Sequence, residues 1–139
     1  MLHEEWRAVI GAAGRYEISS LGRVRSLRGG GRWGRVLAFH LTHDGYPRLN
    51  IVYCGGAKKM ACIHTLVAAA FIGPRPTNCV INHKDGVKQN NFPANLEYIT
   101  QRQNKEHAMR LGLVCKGSVN PNSKLDEAQA LEVFHRAKN

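Results

Sequence analysis

The stretch Cys79-Val80-Ile81-Asn82-His83-Lys84-Asp85-Gly86-Val87-Lys88-Gln89-Asn90-Asn91-Phe92-Pro93-Ala94-Asn95-Leu96-Glu97-Tyr98-Ile99-Thr100-Gln101-Arg102-Gln103-Asn104-Lys105-Glu106-His107-Ala108-Met109-Arg110 decides how the chain is read. It opens on a short apolar run, Cys79 to Ile81, that ends on Asn82 and His83. A polar loop follows, with a turn signal at Asp85-Gly86 and a breaker at Pro93. Leu96 to Thr100 is a second β-prone run. Gln101 to Leu111 is polar and helix-compatible, and Gly112 stands where a helix C′ glycine belongs. The order is strand, loop, strand, helix. An antiparallel pair with a helix packed on one face would bring His83, Asn95 and Asn104 together.

Upstream, His64 to Phe71 carries three alanines and no β-branched majority, so a helix is expected there. Leu66, Val67, Ala70 and Phe71 give it an apolar face. His64 is read as a capping or packing residue at its start. Gly73-Pro74-Arg75-Pro76 ends the helix and leads stiffly into the central stretch. Lys58 to Ile63 reads as a strand with a basic start. Val36 to Leu41 and Tyr46 to Tyr53 read as strands joined by the turn signal His43-Asp44-Gly45, with Leu49, Ile51 and Tyr53 on one face. Nearer the N-terminus, Glu5 to Ile10 reads as a strand anchored by Trp6. Tyr16, Ile18 and Leu21 alternate with polar residues before Gly22 turns the chain into Val24-Arg25-Ser26-Leu27.

The central stretch resembles the ββα-metal motif of HNH endonucleases, in their phage and intron-homing branch. The resemblance rests on Asn82-His83, Asp85-Gly86, Asn90-Asn91, Asn95-Leu96-Glu97 and Asn104-x-x-His107. Ile63 to Ile72 looks like the helix that precedes the motif in that branch. Glu5-Trp6-Arg7 and Tyr16 to Ser26 look like a small DNA-binding module found ahead of such nucleases. The three pieces occur in the family's order and cover about residues 4–111.

The fold class this implies is α+β: a short β-rich N-terminal module, the nuclease motif, and a C-terminal helix. The expected division is residues 1–53 as DNA-binding module, 54–112 as nuclease core, and 113–139 as loop and helix. Ser123 would cap that last helix over Lys124 to Ala137. Asn120 to Leu125 resembles the start of a helix-turn-helix tail, but the chain ends before a second helix.

Hydrolysis of a phosphodiester needs a water nucleophile, a base for its proton, and stabilisation of charge on the leaving oxygen. An imidazole titrates near neutral pH, as a general base should, which suits His83. The resemblance places that role on His83, and places a divalent metal on Asn82 and Asn104. His107 is then a neighbouring group or an alternative ligand. Amide oxygens and phosphate suit a hard cation, Mg²⁺ or Mn²⁺. Many relatives have Asp where Asn82 stands, so weak metal binding before DNA is expected. Asn95 matches the family's middle asparagine, which holds the loop and so orients the base. Asp85 reads as a turn residue.

Lys and Arg number 20 against 10 Asp and Glu, for a formal net charge of +10. Such an excess favours a polyanion, double-stranded DNA first. Arg15, Arg23, Arg25 and Arg28, then Arg32 and Arg35 around a glycine-rich loop, then Lys58 and Lys59, are the expected phosphate contacts. No 18-residue apolar run occurs, so no membrane span is expected. The N-terminus lacks a secretion signal, which makes the cytoplasm, of a bacterial host if the gene is a phage's, the expected location. Cys54, Cys62, Cys79 and Cys115 lack Cys-x-x-Cys spacing and read as small apolar residues, so no structural zinc is expected.

The function expected is a metal-dependent DNA endonuclease of homing or phage type, a monomer or weak dimer. With one site per chain it would nick. The alternative is a DNA-binding protein of the same fold without catalysis.

Overall fold

A computed structural model of the chain describes residues 3–27 and 34–113. The expectations for Arg28, Arg32, Cys115 and the Ser123-capped helix lie outside these residues.

Alternating apolar and polar residues near the N-terminus build an antiparallel sheet in sequence order: β1 (Trp6–Ala8), β2 (Tyr16–Ser19), β3 (Val24–Ser26) and β4 (Arg35–Val36). Ile18 pairs with Val24 across β2 and β3, and both are buried. β1 is shorter than the expected Glu5 to Ile10. Val9 is buried, and its N–H bonds the Tyr16 carbonyl at 2.9 Å to close the turn to β2. The Ser19 hydroxyl accepts from the N–H groups of Leu21 and Arg23, which fixes the tight turn at Gly22.

A second antiparallel sheet holds β5 (His40–Leu41), β6 (Pro47–Val52) and β7 (Lys58–Cys62). Val36 to Leu41 is therefore not one strand. Its ends pair in different sheets, while Leu37 between them packs against the core and bonds the Val24 carbonyl at 2.8 Å. Burial of Leu37 is favoured over a continuous ladder. The expected turn at His43-Asp44-Gly45 is present. Gly45 has φ +81°, and the Thr42 N–H bonds the Tyr46 carbonyl at 3.0 Å.

Leu49 and Ile51 point inward on β6, as their spacing predicts. They join Ile18 and Val24 from the first sheet and Ile63, Leu66 and Val67 from α1 (Ile63–Val67) in one core. Ile18, Ile51 and Ile63 are almost fully enclosed; truncating any one to Ala would cost about 2–5 kcal/mol. The core crosses the expected division between residues 53 and 54, as does the β6–β7 ladder.

The expected helix from His64 to Phe71 starts as α-helix but loosens into a π turn over Ala68–Ile72. The Gly73 N–H closes that turn on the Ala68 carbonyl at 3.0 Å. The Tyr98 hydroxyl donates to the Gly73 carbonyl at 2.9 Å, tying the turn to the ribbon that follows.

That ribbon is β8 (Cys79–His83) paired antiparallel with β9 (Leu96–Thr100), followed at once by α2 (Gln101–Arg110). Strand passes to helix through a capping box. The Gln103 N–H bonds the Thr100 hydroxyl at 3.3 Å, and the Gln103 carboxamide oxygen accepts from the Thr100 N–H at 2.9 Å. α2 ends on Gly112 at φ +67°. The Leu113 N–H bonds the Ala108 carbonyl and the Gly112 N–H bonds the Met109 carbonyl, the pairing of a Schellman cap. Two compact units divide the chain after Asn104.

Candidate active site

β8 delivers Asn82 and His83 as its last two residues, and both are buried. The antiparallel register sets Asn82 opposite Glu97 and His83 opposite Leu96. The Asn82 Nδ2 donates to the Glu97 Oε1 at 2.8 Å.

The His83 Nε2 lies 3.2 Å from the Asn91 Oδ1. The Asn91 Nδ2 donates to the Gln89 carbonyl at 3.1 Å, so its oxygen end is the one that faces the imidazole. An acceptor oxygen at that distance requires a proton on Nε2. Nδ1 is then the basic nitrogen of His83.

The loop between the strands is built on Asp85. Its Oδ1 accepts from the Val87 N–H at 2.8 Å and the Asn95 Nδ2 at 2.9 Å, and its Oδ2 accepts from the Asn90 Nδ2 at 2.6 Å. The Asn95 side chain also donates to the Asn90 carbonyl and accepts from the Asp85 N–H. Desolvation pushes the carboxyl of exposed Asp85 up, but these donors, with His83, outweigh it and hold it below the usual carboxylate range. Asn95 thus braces the loop, and the direct contact to His83 comes from Asn91. Asp85, read from the sequence as a turn residue, is the hub of the loop. Lys88 fastens the loop to the 42–46 turn, donating to the Asp44 carbonyl at 2.7 Å with its ammonium 4.9 Å from the Tyr46 ring centroid.

His64 does not cap α1; its ring packs against the site. Its centroid lies 5.4 Å from that of His83 in an edge-on contact and 5.1 Å from that of Tyr46. Its Nδ1 is buried with no hydrogen-bond partner. Burial, then His83, then Arg48 push the His64 pKa down to about 4, so this second imidazole is neutral at ordinary pH.

Asn104 is half-buried in α2, one residue after the capping Gln103, and His107 is half-buried further along the same helix. Among the described residues, no three His, Cys, Asp or Glu side chains converge as a metal cluster. A cation at β8 would instead be held by oxygen donors. The Asn82 amide, with its nitrogen engaged by Glu97, offers one. This donor type fits Mg²⁺ or Mn²⁺.

The basic residues are spread over the sheets. Arg23 pairs with Glu4 through two contacts, one of them Nε to Oε1 at 2.9 Å, and holds the Glu4 carboxyl below the usual range. Arg25 pairs with Glu17 at 2.6 Å and lies 4.2 Å over the Trp6 ring. Arg35, Lys58 and Lys59 are exposed, and Arg15 is half-buried. Sequence reading missed the paired state of Arg23 and Arg25, as well as the contacts of Asn91, Glu97 and His64. The Asn90-Asn91 doublet was a visible signal for the first of these contacts. A cross-strand register would have been needed to find the second.

Two family models match the chain: the NUMOD4 motif over residues 4–52 and an HNH endonuclease model over residues 61–106. The chain is 36% identical over 108 residues to DNA endonuclease I-HmuI of Bacillus phage SP01, covering 78% of this chain and 59% of that protein. It is 37% identical over 103 residues to an uncharacterised HNH endonuclease of Acanthamoeba polyphaga mimivirus, covering 70% of this chain and 28% of that one. The chain thus spans about three fifths of the length of I-HmuI and less of the viral protein. A solved structure described as DNA binding and cleavage by the HNH homing endonuclease I-HmuI matches with a TM-score of 0.68 at 30% identity, covering 96% of this chain and 68% of that one. With strand-borne Asn82-His83, a bracing Asn95 and a following helix, and with these matches along both segments, the chain belongs to the HNH endonuclease family.

Proposed function

We propose that this protein is a divalent-metal-dependent DNA endonuclease that hydrolyses phosphodiester bonds in duplex DNA and nicks one strand per site. The observation that carries the reading is the hydrogen-bonded state of His83. Its Nε2 is held by Asn91, its ring is buried against His64, and its Nδ1 is the nitrogen left to take a proton. An imidazole fixed in one tautomer is prepared to accept a proton from water.

In this reading Nδ1 of His83 accepts the proton of the attacking water. Asn91 keeps the ring oriented while it becomes imidazolium, and neutral His64 adds no opposing charge. Asn95 and Asp85 keep the loop, and with it Asn91, from shifting. Asn82 and Asn104 would hold the cation, with His107 as a neighbouring group or an alternative ligand. The cation supplies Lewis-acid stabilisation of the leaving 3′ oxygen when bound. Arg15, Arg35, Lys58 and Lys59, and Arg23 and Arg25 once released from their carboxylates, are the proposed phosphate contacts.

Incubation of supercoiled plasmid with the protein and Mg²⁺, Mn²⁺ or EDTA tests the proposal. Conversion to open circles with either metal and none with EDTA is the expected result. Retarded DNA without cleavage under any metal would support a binding protein of this fold instead.

A further inference from the structure

The side chain that the resemblance assigns to the metal is an amide, and an amide has one end that can bind a cation and one that cannot. In the Asn82–Glu97 contact the carboxylate only accepts, so the NH₂ end of Asn82 must face it. The register makes this a cross-strand pair fixed by the backbone ladder. Asn82 is only 6% exposed, so breaking the bond would leave a buried donor unpaired. Glu97 is half-buried, and among the described residues it forms no ion pair. Among these residues its hydrogen-bond partner is the Asn82 amide.

We propose that Glu97 is the carboxylate of this metal site, acting as a positioning residue one hydrogen bond behind the cation. It locks the Asn82 amide with its oxygen turned away from Glu97 to meet the ion. By accepting from Nδ2 it draws electron density toward that oxygen and makes it a better donor. Glu97 thus replaces, from the neighbouring strand, the charge that an aspartate at position 82 would supply. The inference rests on Asn82 being a ligand.

The test is Mn²⁺ binding, followed by loss of the free-ion electron paramagnetic resonance signal. The protein is held on a random-sequence duplex in a His83→Ala background, so that the DNA stays intact. Glu97→Gln keeps the shape of the side chain, but its NH₂ can engage the Asn82 oxygen. Glu97→Gln and Glu97→Ala should each weaken Mn²⁺ binding by about 10- to 100-fold, the usual scale for groups that orient a ligand. Adding Asn82→Asp to Glu97→Gln should restore binding to the starting level or better, because both carboxylate oxygens can bind and the glutamine now donates to one of them. This isosteric pair carries the test if the alanine variant fails to fold. Asn82→Ala should lose binding, and adding Glu97→Ala to it should cause no further loss.

Unchanged affinity in Glu97→Gln overturns the proposal. So does a double alanine variant that loses the full product of the two single losses, which would make Glu97 a direct ligand. If Asn82→Ala itself binds Mn²⁺ normally, the ligand assignment fails and the proposal fails with it.

Discussion

The imidazole of His83 and the carboxamide of Asn91 meet at 3.2 Å, Nε2 to Oδ1, inside the loop that joins β8 to β9. Because Asn91 has its own NH₂ engaged by the Gln89 carbonyl, the contact fixes which nitrogen of His83 is protonated. Nitrogen-15 spectra of histidine-labelled protein above the imidazole titration should show His83 as the Nε2–H tautomer. Asn91→Leu should mix the tautomers and slow cleavage by about 10-fold or more. A native spectrum of the Nδ1–H form would contradict the assignment of the base.

His83→Ala should lower turnover by about 10²-fold or more, the scale of general-base catalysis. Affinity for DNA should change little, since the ring is buried. Single-turnover cleavage beside a binding titration separates the two effects, and cleavage within a few-fold of native would remove His83 from the mechanism.

Gly22 couples the N-terminal sheet to the site. Its φ is +76°, and a Cβ there would sit 3.3 Å from the Asn91 Cβ and 3.2 Å from the Ile63 Cγ2. Gly14, at φ +65°, has nothing within 4 Å and serves as the control. Both Gly→Ala changes should destabilise by about 1–2 kcal/mol through left-handed backbone strain. Only Gly22→Ala should also displace Asn91 and slow cleavage. Equal activity in the two variants would show that the contact does not reach the base.

Acid stability should report on His64. Its folded pKa of about 4 lies below the ordinary 6.5, so between these values the unfolded chain binds the proton more readily. The stabilisation tied to neutral His64 is complete above about pH 6.5 and is lost as the pH falls toward 4. Asp85, also lowered, adds a loss on further acidification. Thermal melts should show the native midpoint falling across the His64 window and His64→Gln falling less. Parallel curves for the two proteins would rule His64 out as the source.

Arg23 and Arg25 carry the DNA prediction. If both exchange Glu4 and Glu17 for phosphates, replacing both by Ala should cut the slope of log affinity against log salt by up to about 2 units. Glu4→Gln with Glu17→Gln should tighten binding to every sequence, because the guanidinium groups no longer have carboxylates to leave. Titrations at several salt concentrations decide it. An unchanged slope in the arginine variant would mean that both ion pairs persist on DNA.

The linear chain was enough to fix the elements that depend on neighbouring residues. Turn residues at Gly45, Gly22 and Gly112 placed their turns and the end of α2, because left-handed backbone is tolerated by few side chains. Alternation placed Leu49 and Ile51 inside, and the Asn82-His83, Asn95 and Asn104 spacing marked the nuclease motif. What the chain could not show was pairing between distant segments. Val36 and Leu41 read as one strand but belong to two sheets, since local propensity does not encode which partner each end finds. Asn91 rather than Asn95 touches His83, because the path of the loop is set by the hydrogen bonds of Asp85. The Asn82–Glu97 pair exists only through the register of β8 on β9, and the His64 ring meets that of His83 only through the tertiary fold that brings α1 to the end of β8. These are long-range contacts, settled by the core that Ile18, Ile51, Ile63 and Leu96 bury in common.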